Sequence, residues 1–159
     1  MNTLIYRATL AASLTLASAL ASAAATVSYV GVDKMTDVPR YQSDREFMQD
    51  DLREYIEKLS ARLPAGQLLK LDILDIDLAG DVFPRVAIQD VRVYRGRADW
   101  PRIHLRFQIE QDGKVIRSGE RTLTDPNYQM SFNRHTNDTY GYEKQLFEDW
   151  FRKELLAAH

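Results

Sequence analysis

Leu69, Leu71 and Ile73 alternate with polar residues, and then the alternation slips by one, continuing at Leu74, Ile76 and Leu78. Successive strand side chains point to opposite faces, so both halves can meet one core only if an extra residue is inserted. The pattern predicts a strand over Leu68–Leu78 with a bulge midway and with Asp75 and Asp77 together on its outer face. A cleaner alternation follows at Arg102–Glu110, where Ile103, Leu105, Phe107 and Ile109 interleave with His104, Arg106, Gln108 and Glu110. Asp112-Gly113 signals a tight hairpin turn, and Lys114–Leu123 reads as the returning strand. Thr26–Val32 and Asp90–Arg95 read as shorter strands, the latter with Val91 and Val93 facing in.

Two stretches change to a helical period. Ser43–Leu63 places Met48, Leu52, Tyr55, Ile56, Leu59 and Leu63 on one stripe, and Pro64 stops it. Ser43 and Glu46 have the spacing of a capping box. Tyr140–Leu156 carries Leu146, Phe147, Trp150, Phe151 and Leu155 on its apolar side. The order strand, helix, several antiparallel strands, helix implies a two-layer α+β domain with both amphipathic helices packed on one face of an antiparallel sheet. The other face is then wet, and it is expected to carry His104, Arg106 and Gln108 and, across the hairpin, Arg117 and Arg121.

The beginning of the chain has a different pattern. Met1–Arg7 has one positive side chain, Ala8–Leu20 is weakly apolar, and small-x-small sites end at Ala23 and Ala25. This reads as a cleaved export signal over residues 1–25, leaving a single domain over 26–159 and no membrane span afterwards. There is no cysteine, so disulfides, thiol catalysis and cysteine-ligated zinc drop out. About 135 residues still suffice to bury about two thirds of the unfolded surface. A periplasmic location is expected. Net charge is −2, but acids dominate Tyr41–Asp81 and arginines dominate Arg85–Arg121. That asymmetry can steer a charged partner, yet falls short of a nucleic-acid footprint.

Little of the chain looks catalytic. Counting a calcium loop from Asp75 puts Gly80 sixth but Val86 twelfth, so the closing bidentate ligand is missing. Asp75 and Asp77 read more simply as a solvated strand edge, and Asp81 beside Gly80 as turn chemistry. His104, His135 and His159 make no paired ligand motif. No nucleophile elbow or glycine-rich phosphate loop occurs, and Gly119 inside a strand suggests a bulge or a close approach. No cofactor and no metal are expected. The best binding candidates are Arg102, His104, Arg106, Arg117 and Arg121, suited to an anionic ligand or an envelope protein. The polar loop 125–139, with Tyr128, Phe132, Arg134 and His135, is second.

Four segments, "RLPAGQLLKLDILDIDLAGD", "DVRVYRGRADWPRIHLRF", "GKVIRSGERTLTDPNY" and "YEKQLFEDWFRKEL", carry a resemblance. Together they resemble a bacterial family of exported proteins known as domain of unknown function three-zero-one-six. The likeness spans about Val27–Leu155, with "DLAG", "DWPRI", "SGE" and "DWFRKE" specific in combination. The resemblance implies one periplasmic or secreted domain and carries over no catalytic residue. The expected function is a small non-catalytic binding or protein-interaction module. The alternative is a metal-dependent or hydrolytic enzyme built on Asp75, Asp77 and His135.

Overall fold

The computed structural model describes residues 25–83 and 91–157. The segment up to Ala24, together with Arg85, Asp90 and His159, lies outside them, and with it most of the expected export signal. The elements are β1 (Ala25–Tyr29), α1 (Gln42–Ser60), β2 (Gln67–Asp77), β3 (Asp81–Phe83), β4 (Val91–Val93), β5 (Arg102–Gln111), β6 (Lys114–Thr124) and α2 (Gly141–Trp150). A π-helical turn, Phe151–Leu156, extends α2.

The main sheet has the order β1-β2-β5-β6. β2, β5 and β6 are antiparallel neighbours, as the alternation implied. β1 departs from that expectation and runs parallel to β2, Ala25 opposite Leu69 and Tyr29 opposite Ile73. The reason is the connection: α1 lies between the two strands, and a helical crossover returns the chain in the same direction. β5 and β6 are joined by Asp112-Gly113, both with positive φ (51° and 74°), which is the backbone a two-residue hairpin turn needs.

Both helices pack on one face. Met48, Leu52, Ile56 and Leu59 of α1, and Phe147 and Phe151 of the second helix, are buried against Leu69, Leu71, Ile73, Ile76, Ile103, Leu105, Phe107 and Ile109. The β2 bulge falls where the slip demanded, the register shifting between Ile73 and Asp75. Gly119 is a close approach: it pairs with Phe107, and a Cβ there would stand 3.0 Å from that ring.

Two local expectations are corrected. The helix starts at Gln42, so Ser43 sits inside the first turn; its hydroxyl bonds the Asp44 carboxylate and no side chain caps the helix. Val91 and Val93 do not face the main core. Among the described residues β4 pairs only with β3, in a separate two-stranded ribbon, and Val91 is 38 % exposed. A ribbon this short has no second layer to bury its valines. The last helix covers the expected span, its final stretch widening into the π turn.

Candidate functional site

The outer sheet face carries the first candidate set. Asp72 stands opposite Arg106, Asp75 opposite His104 and Asp77 opposite Arg102. Arg106 reaches Asp72 at 3.1 Å, Arg102 reaches Asp77 at 2.9 Å, and His104 Nε2 lies 2.8 Å from Glu120. Each expected anion-binding side chain on this face therefore already has a carboxylate neighbour on the next strand. Exposed pairs of this kind contribute about 0–1 kcal/mol each.

Arg117 and Arg121 are not on that face. They pair in register with Ile109 and Leu105, and directly opposed residues share a face. Their side chains lie on the helix side and converge on Glu154 of the π turn. Arg121 binds its carboxylate through two nitrogens, at 3.0 and 2.7 Å, and Arg117 donates to its backbone carbonyl at 2.7 Å. Trp150 Nε1 donates to the same carboxylate at 3.1 Å. The phase shift at the Ile109–Glu110 irregularity moves both arginines across the sheet, and no alternation count placed it there.

The two aspartates behave differently from a wet edge, because β2 is an interior strand. Asp75 accepts from the Thr36 amide and hydroxyl, both at 2.7 Å. Asp37 bridges to Asp77 and makes backbone bonds with Ile76 and Leu78. The carboxylates thus tie the segment after β1 along the end of β2. Burial pushes the Asp77 carboxyl up; Arg102 opposes it, and Asp37 and Asp75 add to it. His135 does not join them. It lies against α1, on the helix side of the sheet. Among the described residues, no group of three or more His, Asp or Glu side chains is placed to hold a metal ion.

The helix side also carries polar chemistry, most of it joining residues far apart in the chain. Glu143, in the first turn of α2, is 2 % exposed and accepts from the Ala79 amide at 2.7 Å. Burial drives its carboxyl upward despite that bond and nearby Arg92. Arg92 in turn binds Asp37 at 2.7 Å and the carbonyls of Leu78, Ala79 and Gly80. These bonds hold the β3–β4 ribbon to the main body. Between α1 and α2, Tyr55 donates to Glu148 Oε2 at 2.8 Å, and Arg62 donates to Glu148 Oε1 at 2.7 Å. His135 Nε2 stands 2.8 Å from the Tyr55 hydroxyl, and its Nδ1 stands 3.0 Å from Asp138. Burial and the Glu148 carboxylate push the Tyr55 phenol up. Burial works against the Glu148 charge, but the Arg62 and Tyr55 hydrogen bonds and the charges of Arg62 and His135 hold its carboxyl below the ordinary range.

Gly141 lets the loop come this close. A Cβ there would fall 2.0 Å from the His135 carbonyl oxygen, so only glycine fits where the loop crosses the start of α2.

The second candidate, the 125–139 loop, walls an open groove of about 860 Å³. β6 forms the facing wall and α2 with its π turn the floor. Arg121 through Asp125 line it consecutively. Successive side chains point to opposite faces, so this wall is the edge of β6 itself. Most charges in the groove are already engaged: Arg121 by Glu154, Asp149 by Arg152 and Lys153, Glu148 by Arg62. Arg134 is different. Its guanidinium stacks over Phe132 at 5.8 Å and, among the described residues, pairs with no carboxylate. Phe132 is 76 % exposed and Met130 91 %. The loop thus offers two large apolar side chains and a cation at alternate positions.

A solved structure similar to this chain is protein XCC0632 from Xanthomonas campestris, of family DUF330. It shows 14% identity over 84% of this chain and 82% of that one, with a TM-score of 0.35. No curated protein matches the chain. The family described as "Protein of unknown function (DUF3016)" matches residues 23–153, and the chain belongs to that family.

Proposed function

We propose that this chain is an exported, periplasmic binding module whose ligand surface is the groove between β6, α2 and the 125–139 loop. One observation supports it above the others: Arg134 and Phe132 face solvent at the groove, and among the described residues no acid neutralises the guanidinium. A charged group left unpaired beside exposed aromatic surface fits a partner that brings a carboxylate and an apolar side chain together. The expected occupant is an acidic, partly apolar segment of an envelope protein. The paired arginines of the outer sheet face fit such a partner less well, since a ligand must first displace Asp72 and Asp77.

Photo-crosslinking in the envelope tests this. A photoreactive residue at position 132 is expected to capture a defined protein, and Arg134→Glu to reduce that yield at least several-fold. The same probe at position 106 should give background only. Capture at 106 matching or exceeding that at 132 moves the binding surface to the outer face and ends the groove assignment.

A further inference from the structure

A hydrogen-bond chain assembled from three segments ends at the floor of the groove. Asp138 and His135 come from the loop, Tyr55 from α1 and Arg62 from the turn that follows it, and Glu148 from α2. Glu148 also lines the groove. The chain can be counted proton by proton. Tyr55 has one hydroxyl proton. When it goes to Glu148 Oε2, the Tyr55 oxygen is an acceptor, and His135 Nε2 must donate to it. Nδ1 of the same ring faces a carboxylate, which only accepts. Both ring nitrogens then carry protons, and only imidazolium does that. After one proton leaves to solvent, Nδ1–H stays on Asp138 and Nε2 becomes an acceptor. The Tyr55 hydroxyl turns from Glu148 to His135, and Glu148 keeps Arg62 but loses its second donor. No covalent bond other than the N–H changes.

We propose that His135 is a proton-operated switch that sets, through Tyr55, how much free acceptor capacity Glu148 presents to the groove. This rests on the groove being the binding surface. The charged neighbours leave the ring in control. On α2, Lys144 stacks over the Tyr55 ring at 6.0 Å but is paired with Asp51 of α1 at 2.8 Å. Arg62 is matched by Glu148. Asp138 is the carboxylate whose ion pair is with the imidazole itself, and Lys58 of α1, which also feels the Asp138 charge, is paired with Glu54 at 2.7 Å. Gly141 fixes the geometry, because it seats the His135 backbone against α2.

Nitrogen NMR of the full chain from about pH 5 to 8 reads the switch without any groove ligand. At the acid end both His135 nitrogens are expected to be protonated, and at the alkaline end Nδ1 alone. The Glu148 carboxyl carbon should shift with the same midpoint as the ring, and most of that shift should vanish in Tyr55→Phe, which keeps the packed phenyl ring and removes the relay. A neutral ring carrying its proton on Nε2, or a Glu148 response unchanged in Tyr55→Phe, overturns the proposal. Should that variant not fold, the wild-type tautomer decides alone. Crosslinking at position 132 is a separate result, so a failed groove and a failed switch cannot be confused.

Discussion

Asp99 shows how one side chain can organise a loop. It is 6 % exposed, and its carboxylate accepts from the amides of Arg95 at 2.7 Å, Gly96 at 3.3 Å and Arg97 at 2.8 Å. Burial alone would push its carboxyl up. The Arg95 amide, the Tyr128 hydroxyl, the Arg97 amide and its own amide outweigh burial and hold it below the ordinary carboxylate range. The sign follows: a lowered folded value gives stability that is present above the unfolded value and lost as pH falls through the folded one. Asp99→Asn keeps an acceptor but has no charge to lose. Its urea midpoint should therefore fall less than that of wild type as pH drops below about 4. Asp99→Ala strands buried amides and should cost about 1–3 kcal/mol at neutral pH. An equal acid sensitivity in wild type and Asp99→Asn would remove Asp99 from the pH response.

Among the elements, the legible ones are those whose two faces are uniform. β5 buries Ile103, Leu105, Phe107 and Ile109, and the residues between them are more exposed, so the period alone located it and its hairpin partner. α1 was equally plain, since Met48, Leu52, Ile56 and Leu59 recur at helical spacing. β1 was found but its direction was not, because a five-residue strand carries no mark of parallel or antiparallel pairing. The Tyr55–Glu148–His135 chain was not legible: its bonds join residues 80 and 93 positions apart, which no local window connects. One local sign was available in Gly141, between two tyrosines at the start of the last apolar stripe. Gly141→Ala should be tested for that reason. The added carbon meets backbone, which cannot rotate away, so the loop or the first turn of α2 must move. Forced overpacking of this kind costs about 1–3 kcal/mol. Hydrogen exchange should show faster opening of the loop at Arg134–Asp138 and of the first turn of α2, with β5 unchanged. Wild-type exchange throughout would mean that the loop does not depend on that close approach.

At the scale of the whole molecule, the charge imbalance along the chain becomes a balance across it. The acid-rich stretch supplies β2 and the arginine-rich stretch supplies β5, and the sheet sets them side by side, so Asp72 faces Arg106 and Asp77 faces Arg102. Asp37 and Arg92 repeat the match between the segment after β1 and the ribbon. A surface that looked able to steer an anion is largely neutralised by its own neighbours, while Arg134, which among the described residues pairs with no carboxylate, lies in a loop on the helix side. This makes the outer face a place where charge serves strand pairing, and that role is measurable. Arg106 and Asp72 remain 51 % and 40 % exposed, so water screens their attraction and the coupling should be small. A double-mutant cycle with Arg106→Ala and Asp72→Ala should return about 0.2–1 kcal/mol, shrinking as salt is raised. The exchanged pair, Arg106→Asp with Asp72→Arg, should recover most of the stability that either single charge reversal loses. A ligand-binding face behaves otherwise. There the exchange would restore stability but not binding, and the capture lost would be that at position 106. Unchanged capture in the exchanged variant is the outcome that assigns these charges to the sheet and leaves recognition to the groove.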